Sequence, residues 1–412
     1  MPEVPRVAIT GLGPVTPIGI GVGDFWDSLK AGKSGAGRLE RFPAEGYTSQ
    51  VSAEVRDFNP GDFMTPKQER RFQTFTQFAF AAATLALADA ALEPSNADPA
   101  RTGIVVGTGI GGIAFFEAEH QVLLEKGPRR VSPELVGGMI PNAASGSLAI
   151  EFGFMGPNEC TVTACASGGH AIARACELIR TGQADVMLAG GSEAAITPLA
   201  VASFCSARAL TKRNDEPEKA SRPFDAERDG FVVGEGACVL VLERWDLAVA
   251  RGARIRGEIL GYGLSADAYH MVAPHPEGAG AAAAMTSALS QAGVTSDEVG
   301  YINAHATSTN LGDAAEAAAI KKIFGNNPPP TSGTKSMTGH MIGAAGSTEL
   351  AATILAIEDQ ILPPTINYEF PDPACDIDVV PNEARPHRFE LGMSNSFGFG
   401  GHNVSILVSG GS

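Results

Sequence analysis

The sequence contains a weak internal repeat, in which a short apolar run ends in small residues and leads into a helical pattern. In the first half, "TVTACASGGHAIARACELIRTG" at 161–182 makes this transition. In the second half, "TSGTKSMTGHMIGAAGSTELAATILAIEDQ" at 331–360 makes it again. Self-similarity of this kind predicts two similar structural halves. Halves packed back to back would bring the two helix starts close together.

Both repeated helices have an apolar stripe on one face. The stripes consist of Ile172, Cys176 and Ile179 in the first helix, and of Leu350, Ile354 and Ile357 in the second. Short apolar runs alternate with helical patterns along the rest of the chain, which is typical of βαβ units in a mainly parallel sheet. The sequence therefore predicts an α/β fold.

Charge and hydropathy exclude several classes of function. The net charge is −16 and no basic tract offsets it, which argues against a nucleic-acid partner. The longest apolar stretch, at 78–88, is too short to span a bilayer, and the N-terminus has no basic head followed by an apolar run. We therefore expect a cytoplasmic protein without a membrane partner. The histidines and cysteines form no H-x-x-x-H or C-x-x-C pattern, so no metal site is expected.

Cys165 lies where the first apolar run passes into its helix, in "TACASGG". Unpaired N–H groups and the dipole at a helix N-terminus favour an anion, so we expect a lowered thiol pKa and a nucleophilic thiolate. The small residues beside Cys165 leave room for backbone amides to approach a substrate carbonyl. On this stretch alone, a small buried apolar side chain without a chemical role is an open alternative.

Two histidines and a lysine in the second half are candidate catalytic groups. His305 follows an apolar run in "NAHATST", and His340 lies in a glycine-rich turn in "MTGHMIGAAG". Lys335 lies among small residues five positions before His340, where carboxylates such as Glu349 and Asp313 could hold its charge. A cation beside an imidazole lowers the imidazole pKa and keeps it neutral. A structural role for either histidine is the alternative.

The segment "GTGIGG" matches the dinucleotide-binding pattern through Gly107, Gly109 and Gly112. That fingerprint also requires a second strand ending in an acidic residue about twenty positions later. Here the chain continues as "FFEAEHQVLLEKGPRR", which predicts a helix and a loop. An NAD-dependent oxidoreductase is therefore only a remote alternative.

Four motifs closely resemble those of the β-ketoacyl-[acyl carrier protein] synthases, the condensing enzymes of fatty acid synthesis. They are, in order, "TACASG", "NAHATST", "TKSMTGHMIGAAG" and "SNSFGFGGHN". The resemblance covers nearly the whole chain and is strongest to the enzymes that elongate longer acyl chains. It implies a thiolase-like fold of two βαβαβαββ halves in five α-β-α-β-α layers. Residues 1–250 would carry the nucleophilic cysteine, and residues 251–412 the two histidines and the lysine.

The resemblance implies a decarboxylative Claisen condensation. Cys165 would accept an acyl chain from an acyl carrier protein as a thioester, with the backbone N–H groups of Cys165 and Phe399 as the oxyanion hole. His305 and His340, kept neutral by Lys335, would assist decarboxylation of malonyl-carrier protein. The enolate would then extend the acyl chain by two carbons. No cofactor is implied, because the 4'-phosphopantetheine arm arrives on the carrier protein.

Other positions match family residues that surround the substrate. They are Phe399, Gly398 and Gly400 for a gate, Ile110 and Phe204 for the acyl pocket, and Thr307 and Thr309 for the pantetheine arm. An acidic carrier protein can dock on this acidic chain only through a local basic patch. Two clusters are candidates: Lys67, Arg70 and Arg71, and Arg208, Lys212 and Arg213. The family also forms homodimers, which pair the "TVTACASGG" segment across the two-fold axis.

The sequence departs from the family pattern at two positions. Ala306 replaces a glycine that many relatives have, and His402 replaces a common threonine. Neither change removes a reacting group. A polyketide or mycolate-type ketosynthase is the nearest alternative. A non-catalytic chain-length subunit is more remote, because such proteins lack the cysteine that is present here at position 165.

Overall fold

The computed structural model describes residues 4–411. The α-helices in this range are α1 (Val22–Lys30), α2 (Pro66–Arg71), α3 (Thr74–Asp89), α4 (Ile113–Lys126), α5 (Leu135–Met139), α6 (Ala143–Phe152), α7 (Ser167–Arg180), α8 (Pro198–Ser206), α9 (Trp245–Ala250), α10 (Ala279–Ala292), α11 (Asn310–Phe324), α12 (Lys335–Thr338) and α13 (Ala345–Asp359). None of these helices combines the length and the apolar character needed to cross a membrane.

The strands in the same range are β1 (Val7–Thr16), β2 (Gly19–Ile20), β3 (Ala36–Arg38), β4 (Val51–Ala53), β5 (Thr102–Gly107), β6 (Asn158–Glu159), β7 (Val186–Glu193), β8 (Val233–Gly234), β9 (Gly236–Arg244), β10 (Gly257–Ala266), β11 (Val299–Asn303), β12 (Thr331–Ser332), β13 (Ile361–Leu362), β14 (Arg385–Pro386), β15 (Leu391–Gly398) and β16 (His402–Gly410).

The central sheet consists of two arrays with the same strand order and the same strand directions. The first array runs β1-β9-β7-β5-β6, and the second runs β10-β16-β15-β11-β12. In each array the first two pairings are antiparallel and the last two are parallel. The arrays join where β1 pairs with β10. This equivalence confirms the predicted fold of two βαβαβαββ halves.

Helices cover the two arrays in five layers. Helix α3 packs on the first array and α10 on the second, at the two outer surfaces, while α7 and α13 contact each other between the arrays. Glycines allow the outer helices to approach their sheets closely. A Cβ atom at Gly13 of β1 would lie 1.9 Å from the carbonyl oxygen of Ala82 in α3. A Cβ atom at Gly263 of β10 would lie 1.9 Å from the carbonyl oxygen of Ala284 in α10. In both halves, a strand glycine therefore allows the outer helix to pack closely.

The starts of α7 and α13 meet at the centre of the molecule. A 3₁₀ turn precedes each helix, at Ala164–Ala166 and at Ile342–Ala344. Ala164 and Ile342 hold equivalent left-handed conformations, with φ of 50° and 46°. A Cβ atom at Gly168 would lie 2.8 Å from the carbonyl oxygen of Gly343. The small residues at these helix starts thus permit the two halves to approach, and the predicted meeting of the helix starts is confirmed.

Candidate active site

A cavity of about 380 Å³ opens where the starts of α7 and α13 meet. Cys165 from the first half and His305 and His340 from the second half all line it. His305 follows β11, and His340 lies between α12 and α13. The pairing of the two halves therefore brings together three candidate groups that are far apart in the sequence.

Cys165 lies in the 3₁₀ turn before α7 and is buried, with 8% of its surface exposed. Burial raises the pKa of the Cys165 thiol to about 11, and the nearby charge of Glu193 also raises it. The backbone N–H of Phe399, the charge of Lys335 and the N–H of Cys165 itself lower it. The expectation of a lowered thiol pKa is therefore wrong for the unacylated site, because desolvation outweighs the groups that favour the thiolate.

The imidazole rings of His305 and His340 lie nearly perpendicular, with centroids 5.4 Å apart. Phe231 packs on His340 with ring centroids 5.2 Å apart, and Phe397 packs on His305 with ring centroids 5.8 Å apart. Burial, with a smaller contribution from Lys335, holds the pKa of both histidines well below the ordinary value. Both rings are therefore neutral near pH 7, as the sequence predicts.

Lys335 is buried beside His305. Its ammonium group donates to the backbone carbonyl oxygen of His305 at 2.5 Å and lies 3.3 Å from His305 Nδ1. It also pairs with the carboxylate of Glu349, the partner that the sequence proposes. Since an ammonium group can only donate, His305 Nδ1 accepts and the ring proton is on Nε2. His340 has no hydrogen-bond partner for either ring nitrogen among residues 4–411.

The prediction that Asp313 also holds the charge of Lys335 is wrong. Asp313 accepts from the backbone N–H groups of Phe224 and Ser308 and lies 3.7 Å from Arg228. It therefore stabilises the segment after His305 rather than the lysine.

Glu316, one helical turn after Asp313 in α11, is a site residue that the sequence analysis missed. Its carboxylate accepts from the backbone N–H groups of His305 and Ala306, at 2.8 and 2.7 Å. Burial raises the pKa of Glu316 to about 7, although these N–H groups and Lys335 oppose the shift. The sequence feature that could have indicated Glu316 is an acidic residue with alanines on both sides, in "AAEAAA".

The two residues assigned to the pantetheine arm and two of the three assigned to the gate line the same cavity. Thr307 and Thr309 line it, with their hydroxyl oxygens 3.0 Å apart. Gly398 and Phe399 also line it, and a Cβ atom at Gly398 would lie 2.5 Å from the carbonyl oxygen of Thr163. Gly400 has a φ of 85°, a conformation that favours glycine.

The residues assigned to the acyl pocket belong to a hydrophobic cluster and not to the lining of the cavity. Ile110 and Phe204 do not line the cavity but pack in the hydrophobic cluster that contains Cys165. Cys165 therefore belongs both to the cavity lining and to this cluster, and Phe204 packs on Phe231, the ring that also packs on His340.

The segment "GTGIGG" is not arranged as a nucleotide-binding loop. The backbone N–H groups of Gly109 and Ile110 donate to the carboxylate of Glu193, at 2.6 and 3.3 Å. Amides that would contact a pyrophosphate therefore already have an anionic partner inside the protein. This internal pairing argues against the oxidoreductase alternative.

The two basic clusters differ in their distance from the cavity. Arg208 lines it and is exposed, with a left-handed φ of 54°. Lys212 is exposed, while Arg213 pairs with Glu227 at 3.2 Å.

The cluster on α2 does not line the cavity. Lys67, Arg70 and Arg71 are all exposed on this helix, and Arg71 pairs with Glu151. Of the two clusters, the one on α2 therefore lies away from the cavity, and the other contacts it through Arg208.

Comparisons with known proteins agree with this geometry. Residues 5–248 match the model of the beta-ketoacyl synthase N-terminal domain, and residues 256–369 match that of the C-terminal domain. The 3-oxoacyl-[acyl-carrier-protein] synthase 2 of Coxiella burnetii is 49% identical over 409 residues, which is 99% of each chain.

Two solved structures are similar over the whole chain. The ishigamide ketosynthase/chain length factor is 37% identical with a TM-score of 0.94, and all of both chains is covered. A type II polyketide ketosynthase, solved with its acyl carrier protein and bound to the hexaketide, is 36% identical with a TM-score of 0.91 over all of both chains.

Proposed function

The chain belongs to the β-ketoacyl synthase family, and we propose that its cavity performs the decarboxylative condensation of fatty acid elongation on Cys165. The enzyme is a 3-oxoacyl-[acyl-carrier-protein] synthase of the acyltransferase class. The observation that carries the proposal is the convergence of Cys165, His305 and His340 on one cavity. The 49% sequence identity to a 3-oxoacyl-[acyl-carrier-protein] synthase 2 favours fatty acid elongation over polyketide synthesis.

In the first half-reaction, the sulfur of Cys165 attacks the carbonyl carbon of an acyl thioester. Negative charge develops on the carbonyl oxygen, where the backbone N–H groups of Cys165 and Phe399 stabilise it. The carrier thiol leaves and takes up a proton, while Cys165 gives up its own. A thiol and a thioester thus exchange without net proton release, so the raised thiol pKa limits the rate and not the equilibrium.

In the second half-reaction, a malonyl thioester binds in the same cavity and loses CO₂. The charge moves to the thioester oxygen, which accepts hydrogen bonds from Nε2–H of His305 and from His340. Both imidazoles are neutral donors, which hold their protons throughout this step. The enolate carbon then attacks the carbonyl carbon of the acyl-cysteine, and the bond from that carbon to the Cys165 sulfur breaks. The extended β-ketoacyl thioester leaves on the carrier, and the Cys165 thiolate takes up a proton from solvent to restore the thiol.

The substrate reaches this site on an acyl carrier protein. Thr307 and Thr309 line the path from the surface to Cys165, which supports their role in binding the pantetheine arm. Arg208 lies at the mouth of that path, where its positive charge suits an acidic carrier protein. The arm arrives on the carrier, and the chain's own residues supply the other groups that the reaction needs.

A homodimer would cover an apolar surface on the first half. None of the residues of α4 is buried, although the helix includes Phe116, Leu123 and Leu124, and Leu124 is 67% exposed. The short strand β6 lies at the edge of the sheet, close in sequence to the exposed Val162. Apolar patches of this kind mark protein interfaces, and an open strand edge favours pairing with a second copy.

The proposed function is tested by turnover with malonyl-carrier protein and acyl-carrier proteins of graded chain length. Mass spectrometry of the products should show one extension by two carbons for each malonyl unit decarboxylated. Repeated extension of an acetyl starter into a poly-β-keto chain would indicate the polyketide alternative. No extension of any acyl chain would refute the condensing function.

A further inference from the structure

Glu193 is a buried carboxylate that the condensation mechanism does not use. It is the last residue of β7 and has no exposed surface. Glu193 Oε1 accepts from Thr108 Oγ1 at 3.0 Å and from Ile110 N at 3.3 Å. Glu193 Oε2 accepts from Gly109 N at 2.6 Å and from Gly343 N at 3.1 Å. One carboxylate thus satisfies four donors.

These donors belong to both halves of the molecule. The segment 108–110 follows β5 in the first half and carries Ile110, which packs in the cluster around Cys165. Gly343 lies in the 3₁₀ turn before α13 in the second half, three residues after His340. Glu193 therefore connects the side of the site where the acyl chain is expected to the turn that follows a reacting histidine.

Two of the four donors are glycines, which allows the carboxylate to approach the backbone closely. A Cβ atom at Gly109 or at Gly343 would lie 2.8 Å from Glu193 Oε2. A buried acceptor whose donors are all backbone or hydroxyl groups is costly to remove, because each donor is then left unpaired. A glutamine side chain has one oxygen and one NH₂ group, so it can accept from the donors of only one of the two carboxylate oxygens.

The charge of Glu193 also acts on the nucleophile. Glu193 and Lys335 are the charged side chains that act on Cys165, and they oppose each other: Glu193 raises the thiol pKa and Lys335 lowers it. Burial raises the pKa of Glu193 itself to about 7, against the hydrogen bonds from its four donors. Its charge therefore changes within the working pH range of a cytoplasmic enzyme.

We propose that Glu193 is a positioning residue that holds the Ile110 segment against the turn after His340 and thereby fixes the wall of the acyl site. The inference rests on the proposed function, since it assumes that the acyl chain on Cys165 enters the Ile110 side. It assigns the carboxylate a role in chain-length selection and in control of the thiol.

Glu193→Gln tests both parts, with Glu243→Gln as the matched control. Glu243 is also buried, and its backbone lies opposite Val186 at the other end of β7. Its carboxylate pairs with Arg251 and not with a residue of the site, so Glu243→Gln changes a buried carboxylate away from Cys165. Acylation of Cys165 is measured with acetyl- and long-chain acyl-carrier proteins. We expect kcat/KM to fall at least about tenfold more for the long chain than for acetyl in Glu193→Gln, and equally for both in the control.

The second readout needs no turnover and so stands apart from the proposed function. The rate of iodoacetamide alkylation at Cys165 is followed by peptide mass spectrometry between pH 6 and pH 9. Relative to wild type, Glu193→Gln should react faster above about pH 7, where Glu193 is charged, and equally at pH 6. A rate ratio that does not change with pH would show that the charge has no effect on the thiol.

Thr108→Val provides a milder variant, because it removes only one of the four donors. It should shift the chain-length preference in the same direction by a smaller factor. An unchanged chain-length preference in both Thr108→Val and a folded Glu193→Gln would overturn the proposal. If Glu193→Gln does not fold, the Thr108→Val result alone decides it.

Discussion

The ammonium group of Lys335 donates to the backbone carbonyl oxygen of His305 at 2.5 Å. The same group lies 3.3 Å from Nδ1 of that histidine, so one cation fixes both the backbone and the tautomer of the ring. The remaining proton on Nε2 is then available to the oxygen on which charge develops. Lys335, which is buried and does not line the cavity, thus determines how the His305 ring is presented.

The first prediction concerns the buried pair of Lys335 and Glu349. Lys335→Met leaves the Glu349 carboxylate buried without its cation, and breaking such a pair costs about 3–5 kcal/mol in the free energy of unfolding. The double variant Lys335→Met with Glu349→Gln should recover most of this stability but not the condensation activity. Urea unfolding of the single and double variants measures the difference. Equal free energies of unfolding for the single and double variants would show that the unpaired Glu349 carboxylate is not the cause of the lost stability.

The candidate catalytic groups that line the cavity could be identified from the sequence because each lies in a motif of small residues at the end of a strand or the start of a helix. The two carboxylates of α11 show the limit of identifying site residues from the sequence. Asp313 and Glu316 are three positions apart on the same helix face, so spacing could not indicate which one contacts the His305 backbone. The structure assigns that role to Glu316 and places Asp313 with Arg228.

The thiol pKa and Glu193 were not predictable for a related reason. Local sequence showed Cys165 at a helix start, but the extent of its desolvation depends on how both halves pack over it. Glu193 ends β7 in "GGSEAA", and its donors come from segments far away in the sequence. A contact that joins the two halves has no signature within either half.

A second prediction concerns the pH dependence of stability. The folded-state pKa of His340 is well below its ordinary value, so the unfolded chain binds a proton that the folded chain does not. Wild type should therefore lose stability relative to His340→Asn as the pH falls below about 6.5, by at most about 1.4 kcal/mol at pH 5.5, which is the loss when only the unfolded chain binds the proton. Urea unfolding at pH 8 and pH 5.5, at one protein concentration, gives the difference. A constant difference between the two proteins would mean that folding does not shift the pKa of His340.

The third prediction concerns the apolar surface of α4. Phe116→Glu combined with Leu123→Glu places two charges on this surface and should convert a dimer into monomers. Val249→Glu, at an exposed apolar residue on α9, is the control and should leave the dimer intact. Sedimentation at micromolar concentration distinguishes the two states. A monomeric wild type would exclude the homodimer, and a dimeric double variant would place the interface elsewhere.

The fourth prediction concerns docking of the carrier protein. Arg208→Glu combined with Lys212→Glu reverses charge at the cavity mouth and should raise KM for carrier-bound substrate. A short pantetheine thioester should react as before, because it brings no acidic protein. Added salt should raise the wild-type KM in the same direction. Arg385→Glu, at a half-buried arginine paired with Asp378, is the control for a charge reversal at a residue that does not line the cavity. Equal slowing of both substrates would show that the reversal has damaged the pocket rather than docking.

The central claim is that Cys165 carries the acyl chain while His305 and His340 act on the malonyl thioester. The most direct test is intact-protein and peptide mass spectrometry after incubation with acyl-carrier protein, together with CO₂ release from malonyl-carrier protein. We expect an acyl adduct at Cys165 in wild type, His305→Ala and His340→Ala, with condensation about 10²–10³-fold slower in each histidine variant. Cys165→Ala should carry no adduct and should still release CO₂. An adduct on another cysteine, or its loss in both histidine variants, would contradict this division of roles.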